Sequence, residues 1–244
     1  MDIKPGLEEW WENTDALKEN RKIIKKKLRE CMKANGYKQG KHSCFYQYHE
    51  DAVIYYVPEH PSIMMYLWIC YYPLYMLPGD IAVFSFGERL SYSTNHYIWN
   101  IRDYETEESM DEWCRRITKI NNTNVSLLSH QVSSATSVNR IFENNKRFFE
   151  ENGYIDFAKL FRLGTQSANE LLMYTKLALH EYDYAIKLAN QIMTENKSHP
   201  HGGSERIIRK CQDVINMAER NDNQYVDSVI QGWRETNIQR FIKK

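Results

Sequence analysis

Strand signals in this chain are confined to one region that has helical segments on both sides. Aromatic and β-branched residues dominate positions 45–57 and 64–72, and turn-forming residues separate the two runs. Apolar residues recur at helical spacing before this region, at 14–35, and again after it, at 107–120. Because strands and helices do not alternate along the chain, the pattern predicts an α+β fold with a mainly antiparallel sheet.

The C-terminal half has helical periodicity almost throughout. Its connections are short, and short connections place consecutive helices side by side and antiparallel. We therefore predict an N-terminal helix packed on the sheet, followed by an antiparallel helical bundle. The polar residues between 121 and 137 favour a division into an α+β sheet domain, 1–124, and a helical domain, 125–244. Further strands are expected at 81–86 and 95–101, and helices at 137–152, 155–163, 167–180, 182–196, 203–220 and 223–242.

The formal net charge of zero results from two regions of opposite charge. Residues 21–41 contain nine basic side chains and one acidic side chain, whereas residues 42–112 contain two basic and eleven acidic ones. Segregation of this kind is informative about binding partners and not about fold.

The acidic region also contains 11 of the 17 tyrosines. Tyrosine supplies rigid contact area with a polar tip, so an exposed face of such rings beside carboxylates suits a protein partner, in particular a basic one. The alternative is that strands favour aromatic residues and half of these rings lie in the core. The predicted partner-binding residues are Tyr55, Tyr56, Tyr71, Tyr72, Glu105, Glu107 and Glu108.

The basic region supplies an alternative surface on the first helix. Its spacing places many of the cations on one face, where they would meet nucleic-acid phosphates. The simpler interpretation is a solvated outer face or an internal counterpart to the acidic sheet edge. The sequence has no helix-turn-helix, zinc-finger, KH or RNP signature. The residues of this alternative are Arg21, Lys22, Lys25, Lys26, Arg29 and Lys33.

No motif predicts catalytic residues, a cofactor or a metal site. His42, Cys44, His49 and His60 lie near one another in the sequence, but their spacing matches no zinc motif. The GxSxG, Walker A and GxGxxG patterns are absent as well. An enzyme whose active site is assembled from dispersed residues remains an alternative.

The cysteines and the hydropathy favour a cytoplasmic protein without a membrane segment. The five cysteines include no CxxC pair, which is typical of reduced thiols. The most hydrophobic stretch, 62–77, is interrupted by Pro73 and is too short to span a bilayer.

Two short segments resemble known families. The first helix ends in Asn35-Gly36-Tyr37-Lys38, and Phe45-Tyr46 follow at the start of a strand. This order resembles the beginning of the uncharacterised bacterial DUF4304 domain, in which a Gly-aromatic-Lys turn precedes a strand with an aromatic pair. The resemblance covers about residues 14–120; it implies an α+β N-terminal region of bacterial or phage origin and transfers no catalytic residues.

The second resemblance lies in the C-terminal half. Residues 181–186, Glu-Tyr-Asp-Tyr-Ala-Ile, resemble the turn and second helix of a tetratricopeptide repeat. No second copy follows at a fixed period, so we expect one helical hairpin and not a repeat array.

Taken together, these features predict a non-enzymatic intracellular protein-binding module, immunity-like or regulatory. It would bind through the acidic aromatic sheet and a concave helical surface. The alternatives are a nucleic-acid-associated protein that uses the basic first helix and an enzyme with a dispersed site.

Overall fold

The computed structural model describes residues 14–59, 64–78, 87–89, 99–100 and 107–242. The helices are α1 (Thr14–Ala34), α2 (Glu107–Ile120), α3 (Ser126–Val132), α4 (Ala135–Asn144), α5 (Lys146–Asn152), α6 (Thr165–Ala178), α7 (Tyr182–Ser198), α8 (Ser204–Ala218) and α9 (Asn223–Phe241). The strands are β1 (Lys38–Gln39), β2 (Phe45–His49), β3 (Ala52–Glu59), β4 (Met64–Pro73), β5 (Gly87–Arg89), β6 (Trp99–Asn100), β7 (Tyr154–Phe157) and β8 (Phe161–Gly164).

The first six of these strands form one antiparallel sheet. Its order is β1-β2-β3-β4-β5, and β6 also pairs with β4. The α+β prediction, with an antiparallel sheet and then an antiparallel helical bundle, is confirmed. The strand expected at 81–86 lies outside the described residues, and β6 occupies part of the one expected at 95–101.

One face of the sheet packs against the first helix and its neighbours. Side chains alternate along β3, so Ile54 and Tyr56 point to the same face. They belong to an apolar cluster that also contains Ile24 and Leu28 of α1 and Ile117 of α2. The apolar stripe of α1 thus has a partner, as the predicted helix-on-sheet arrangement requires.

The other face of the sheet is covered by the last helix of the chain. The ring of Phe241 lies 5.2 Å from the ring of Tyr55 and 6.0 Å from that of Tyr72, measured between centroids. Asn237 accepts a hydrogen bond from the Tyr72 hydroxyl at 3.1 Å and donates to two backbone carbonyls, those of Leu74 and Met76. Helix α9 therefore returns across the chain to close the sheet.

A glycine permits this close approach. A Cβ atom at Gly40 would lie 2.6 Å from the Phe241 carbonyl oxygen and 2.8 Å from the Cys44 sulfur. Both distances are shorter than van der Waals contact, so a larger residue at this position would force α9 away from the sheet.

The apolar core is continuous across the expected domain boundary. One cluster includes Ile54 of the sheet together with Leu171 of α6 and Ile230 of α9. The division at residue 124 stays a prediction. The polar residues chosen as the boundary form a π-helical turn, Asn121–Val125, between α2 and α3.

The helix expected at 155–163 is wrong, because this segment is the hairpin β7-β8. Ala158, Lys159 and Leu160 connect the strands, and the first two have φ angles of 53° and 55°. Two consecutive residues with positive φ are typical of a type I′ hairpin turn, which is closed here by a 2.9 Å hydrogen bond from the Leu160 N–H to the Phe157 carbonyl. Asp156 stabilises the turn by accepting a hydrogen bond from the Lys159 backbone N–H at 2.8 Å. Ile155 and Phe157 are fully buried, so their packing outweighs local helical preference.

We expect Phe241→Ala to destabilise the protein by about 3–5 kcal/mol, the usual cost of removing a buried phenylalanine ring. Denaturant unfolding followed by circular dichroism measures this change. Gln239→Ala, at an exposed position on the same helix turn, is the matched control and should stay within about 0.5 kcal/mol. A loss below about 1 kcal/mol for Phe241→Ala would show that α9 does not close the sheet.

Candidate functional site

The four tyrosines predicted to bind a partner lie inside the protein. Tyr55, Tyr56, Tyr71 and Tyr72 are 2%, 0%, 1% and 8% exposed. The expectation that they form an exposed face is wrong, because α1 and its neighbours cover one side of the sheet and α9 covers the other. Burial raises the pKa of the first three well above the ordinary value for tyrosine.

The acidic residues that were predicted to bind a partner lie largely outside the described structure. Glu105 is outside the described residues. Glu107 and Glu108 form the first turn of α2, and the description does not extend to their side chains.

The predicted basic residues all lie on α1. Lys25, Lys26, Arg29 and Lys33 are exposed, and none of them has an ion-pair partner among the described residues. At 3.6 residues per turn, these four span about 100° of the helix circumference and about 12 Å of its length. They form what we call the basic face. Lys22 is exposed on the same side, and the description stops short of the Arg21 side chain.

A groove lies between two pairs of helices in the helical half. It has a volume of about 430 Å³ and lies between α4-α5 on one side and α6-α7 on the other. Its apolar lining comes from Phe142, Phe149, Leu172 and Leu188. We call this feature the helical groove. Helices α6 and α7 form the hairpin that the sequence predicted, with Leu179, His180 and Glu181 between them.

A nearly buried lysine lies in the wall of the helical groove. The Lys176 side chain is 4% exposed, and its Nζ donates to Glu181 at 2.7 Å and to Glu143 at 3.3 Å. The ammonium also lies 5.0 Å from the centroid of the Tyr184 ring. Burial lowers the pKa of Lys176, but the two hydrogen-bonded carboxylates raise it more, and the result is above the ordinary value. Lys176 is therefore a fixed cation and not a general base.

An amide without a partner lines the same groove. Asn169 is 5% exposed and makes no hydrogen bond to any described residue. Neither of its side-chain polar atoms is among the fully enclosed unpaired atoms, and the residue lines the helical groove. Water can satisfy an amide that retains solvent access, and a bound ligand with matching groups would replace that water with direct hydrogen bonds.

The rim of the helical groove carries charges of both signs. Lys146 and Lys187 are exposed and have no ion pair with the described residues, and Glu150 is likewise exposed and unpaired. With the Lys176, Glu143 and Glu181 cluster, the lining has three cations and three carboxylates. The groove therefore does not select for a strongly charged ligand.

A second cavity, about 460 Å³ in volume, lies between α1, β2 and the π-helical turn. Asn121 accepts hydrogen bonds from Tyr56 at 2.7 Å and Tyr37 at 3.2 Å, while its Nδ2 has no partner. His49 also has an unpaired Nε2, and burial together with the charge of His130 lowers its pKa. Both unpaired atoms are enclosed by protein, so this cavity offers a ligand less than the helical groove does.

Comparison with known proteins finds no matching protein-family model, no matching curated sequence and no matching solved structure. The resemblances to DUF4304 and to a tetratricopeptide hairpin stay predictions. In the described part of the chain, every helix is too short or too polar to span a bilayer. Within the same residues, no three His, Cys, Asp or Glu side chains come together as a metal site would require.

Sequence reasoning missed the two polar residues of the helical groove. Asn169 and Lys176 have no motif around them, and both lie among the buried residues of α6. The one available signal was their position beside apolar residues of the same helix, because a buried amide and a buried charge need partners or a ligand.

Proposed function

We propose that this protein is a non-enzymatic protein-binding module that receives a segment of its partner in the helical groove. The observation that carries the proposal is the unpaired amide of Asn169, nearly buried and open to the groove. The partner we expect is still another protein, but the helical groove takes the place of the sheet tyrosines as the contact surface.

The chemistry of the Asn169 amide favours a peptide as the ligand. An asparagine side chain offers one carbonyl acceptor and an NH₂ donor, and a peptide bond offers the complementary pair. An extended segment has unpaired backbone groups, so it can form both hydrogen bonds at once. The apolar lining of Phe142, Leu172 and Leu188 would receive an apolar side chain of the same segment.

The surroundings of Asn169 suit a protein interface. Tyr184 is 39% exposed beside the groove, and tyrosine is enriched among residues that contribute most to binding energy. Lys187 and Lys146 on the rim would fix the register of a partner through charge without dominating its affinity.

The biological role and the compartment that we propose are based on the sequence. The resemblance of the N-terminal region to DUF4304 implies a bacterial or phage protein, and we propose an immunity-like or regulatory role in the cytoplasm. All five cysteines are free, as a reducing compartment requires.

Asn169→Leu tests the proposal because function and stability should move in opposite directions. The substitution keeps the size of the side chain and removes an amide that has no partner among the described residues. We expect unchanged stability or a gain of up to about 1 kcal/mol in denaturant unfolding. Peptides selected from a displayed random library against the wild type should bind the variant about tenfold more weakly in fluorescence polarisation, as one or two lost hydrogen bonds imply.

Asn237→Leu is the matched control, since this buried asparagine has three hydrogen bonds within the protein. It should lose about 3 kcal/mol of stability, because its partners are left unpaired. Equal binding of the selected peptides to wild type and Asn169→Leu would contradict the proposal. A large loss of stability in Asn169→Leu would also contradict it, since the amide would then have a structural role.

Nucleic-acid binding is the second candidate, and the exposure of the basic face favours it. Lys25, Lys26, Arg29 and Lys33 point to solvent without described acidic partners, so they are available to phosphates. The four residues extend about 12 Å along α1, a length over which one strand of a duplex presents a few phosphates.

Replacement of these four residues by glutamine tests the second candidate. If they bind phosphates, wild-type affinity for duplex or single-stranded DNA should fall steeply with salt, and the variant should lose about 3–4 from the slope of log K against log salt. The control replaces four exposed cations elsewhere, Lys159, Lys197, Arg209 and Arg220. Equal slopes for the two variants, or no binding by the wild type at low salt, would remove this candidate.

A further inference from the structure

Two cysteines from distant parts of the sequence lie side by side between α1 and α2. Cys31 is 6% exposed, Cys114 is partly exposed, and 83 residues separate them along the chain. The Cys31 thiol donates to the Cys114 backbone carbonyl oxygen, with 3.9 Å between sulfur and oxygen, and the two side chains are close enough to shift each other's pKa. Asn35 holds the two helices together here, because its Nδ2 donates to Thr118 Oγ1 at 3.0 Å.

The remaining cysteines have no such arrangement. Cys70 pairs across the sheet with Tyr55, and Tyr55 pairs in turn with Tyr46 of the strand that follows Cys44. Two strand spacings therefore separate Cys44 from Cys70, about 10 Å, which is more than a disulfide spans. Cys211 is buried on α8, and no other cysteine is among the groups that shift its pKa.

The two neighbouring thiols differ in reactivity. The side chain of Cys31 lowers the pKa of Cys114, and so does the charge of Lys27, whereas burial and the charges of Asp111 and Glu30 raise it by less. Interaction with the Cys114 side chain, together with burial, raises the pKa of Cys31. A partly exposed, more acidic thiol beside a second thiol is the usual arrangement of a redox-sensitive cysteine with its resolving partner.

We propose that Cys114 and Cys31 are a peroxide-responsive disulfide site. The Cys114 thiolate attacks one oxygen of a hydroperoxide, the O–O bond breaks, and Cys114 becomes a sulfenic acid as water or an alcohol leaves. The Cys31 sulfur then attacks the Cys114 sulfur, forms the S–S bond and releases the sulfenic oxygen as water. Two electrons pass from the thiols to the peroxide, and a dithiol reductant reverses the change.

The disulfide would join α1 to α2 by a covalent bond. The basic face lies on the outer side of α1, so oxidation would fix that surface relative to α2. The proposal is independent of the proposed function, because the helical groove lies among α4, α5, α6 and α7.

Peptide mapping of the full-length wild-type protein tests the site without any substitution. The native protein is treated with hydrogen peroxide, alkylated and digested, and the peptides are identified by mass spectrometry before and after reduction. We expect one major cross-linked product, Cys31 joined to Cys114, that dithiothreitol removes. Oxidation that leaves this pair reduced, or that first joins any other pair, would overturn the proposal.

Two variants separate the chemical roles. In Cys31→Ser the Cys114 sulfenic acid has no resolving thiol, so dimedone should label Cys114 at peroxide concentrations that leave Cys211 unlabelled. In Cys114→Ser neither the cross-link nor dimedone labelling of Cys31 should appear at those concentrations. If buried Cys31 tolerates serine poorly, Cys31→Ala gives the same readout; labelling of Cys31 in place of Cys114 would contradict the assignment.

Discussion

The packing of α9 on the second face of the sheet is the interaction on which the rest of the structure depends. The sheet is apolar on both faces, and a sheet with two apolar faces must be covered twice. Phe241 and Asn237 supply the second cover from the far end of the chain, with a sequence separation of 165 residues between Tyr72 and Asn237. Arg234 reinforces the contact by donating from Nη2 to Asp51 Oδ2 at 3.0 Å. The closure of the sheet thereby holds the helical half, and the groove within it, against the N-terminal half.

This closure changes which surface can bind a partner. Once the sheet tyrosines are inside, the contact surface we favour among the described residues is the helical groove among α4, α5, α6 and α7. The contrast between two asparagines shows the difference in role. Asn237 has all of its strongest bonding groups paired within the protein, as a structural residue should. Asn169 is almost equally buried, has no hydrogen bond to a described residue and lines the helical groove.

Much of the fold could be predicted from local sequence patterns. The alternation along β3 and β4 and the spacing along α1 were sufficient for the helix, the antiparallel strands and the order of layers. The number of covered faces was not predictable, because it depends on a helix that begins at residue 223. The hairpin at 154–164 was missed since its strands are four residues each, too short for a period of two to be distinguished from a helix.

The candidate site was less predictable than the fold. A charge-based prediction found the basic face of α1, because exposed cations on one helix face follow directly from spacing. It could not find the helical groove, whose residues come from four helices and share no motif. Burial is the property that makes Lys176 and Asn169 candidate site residues. The burial of one residue depends on the packing of all the others, so it could not be predicted from local sequence.

Tyrosine-specific nitration of the native protein, followed by mass spectrometry, tests the central claim most directly. The claim is that the sheet tyrosines are core residues and that the accessible aromatic surface lies beside the helical groove. The account predicts modification of Tyr184 under conditions in which Tyr55, Tyr56, Tyr71 and Tyr72 remain unmodified until the protein is unfolded. Modification of any of these four in the native protein at the rate of Tyr184 would contradict it and return the sheet face as the binding surface.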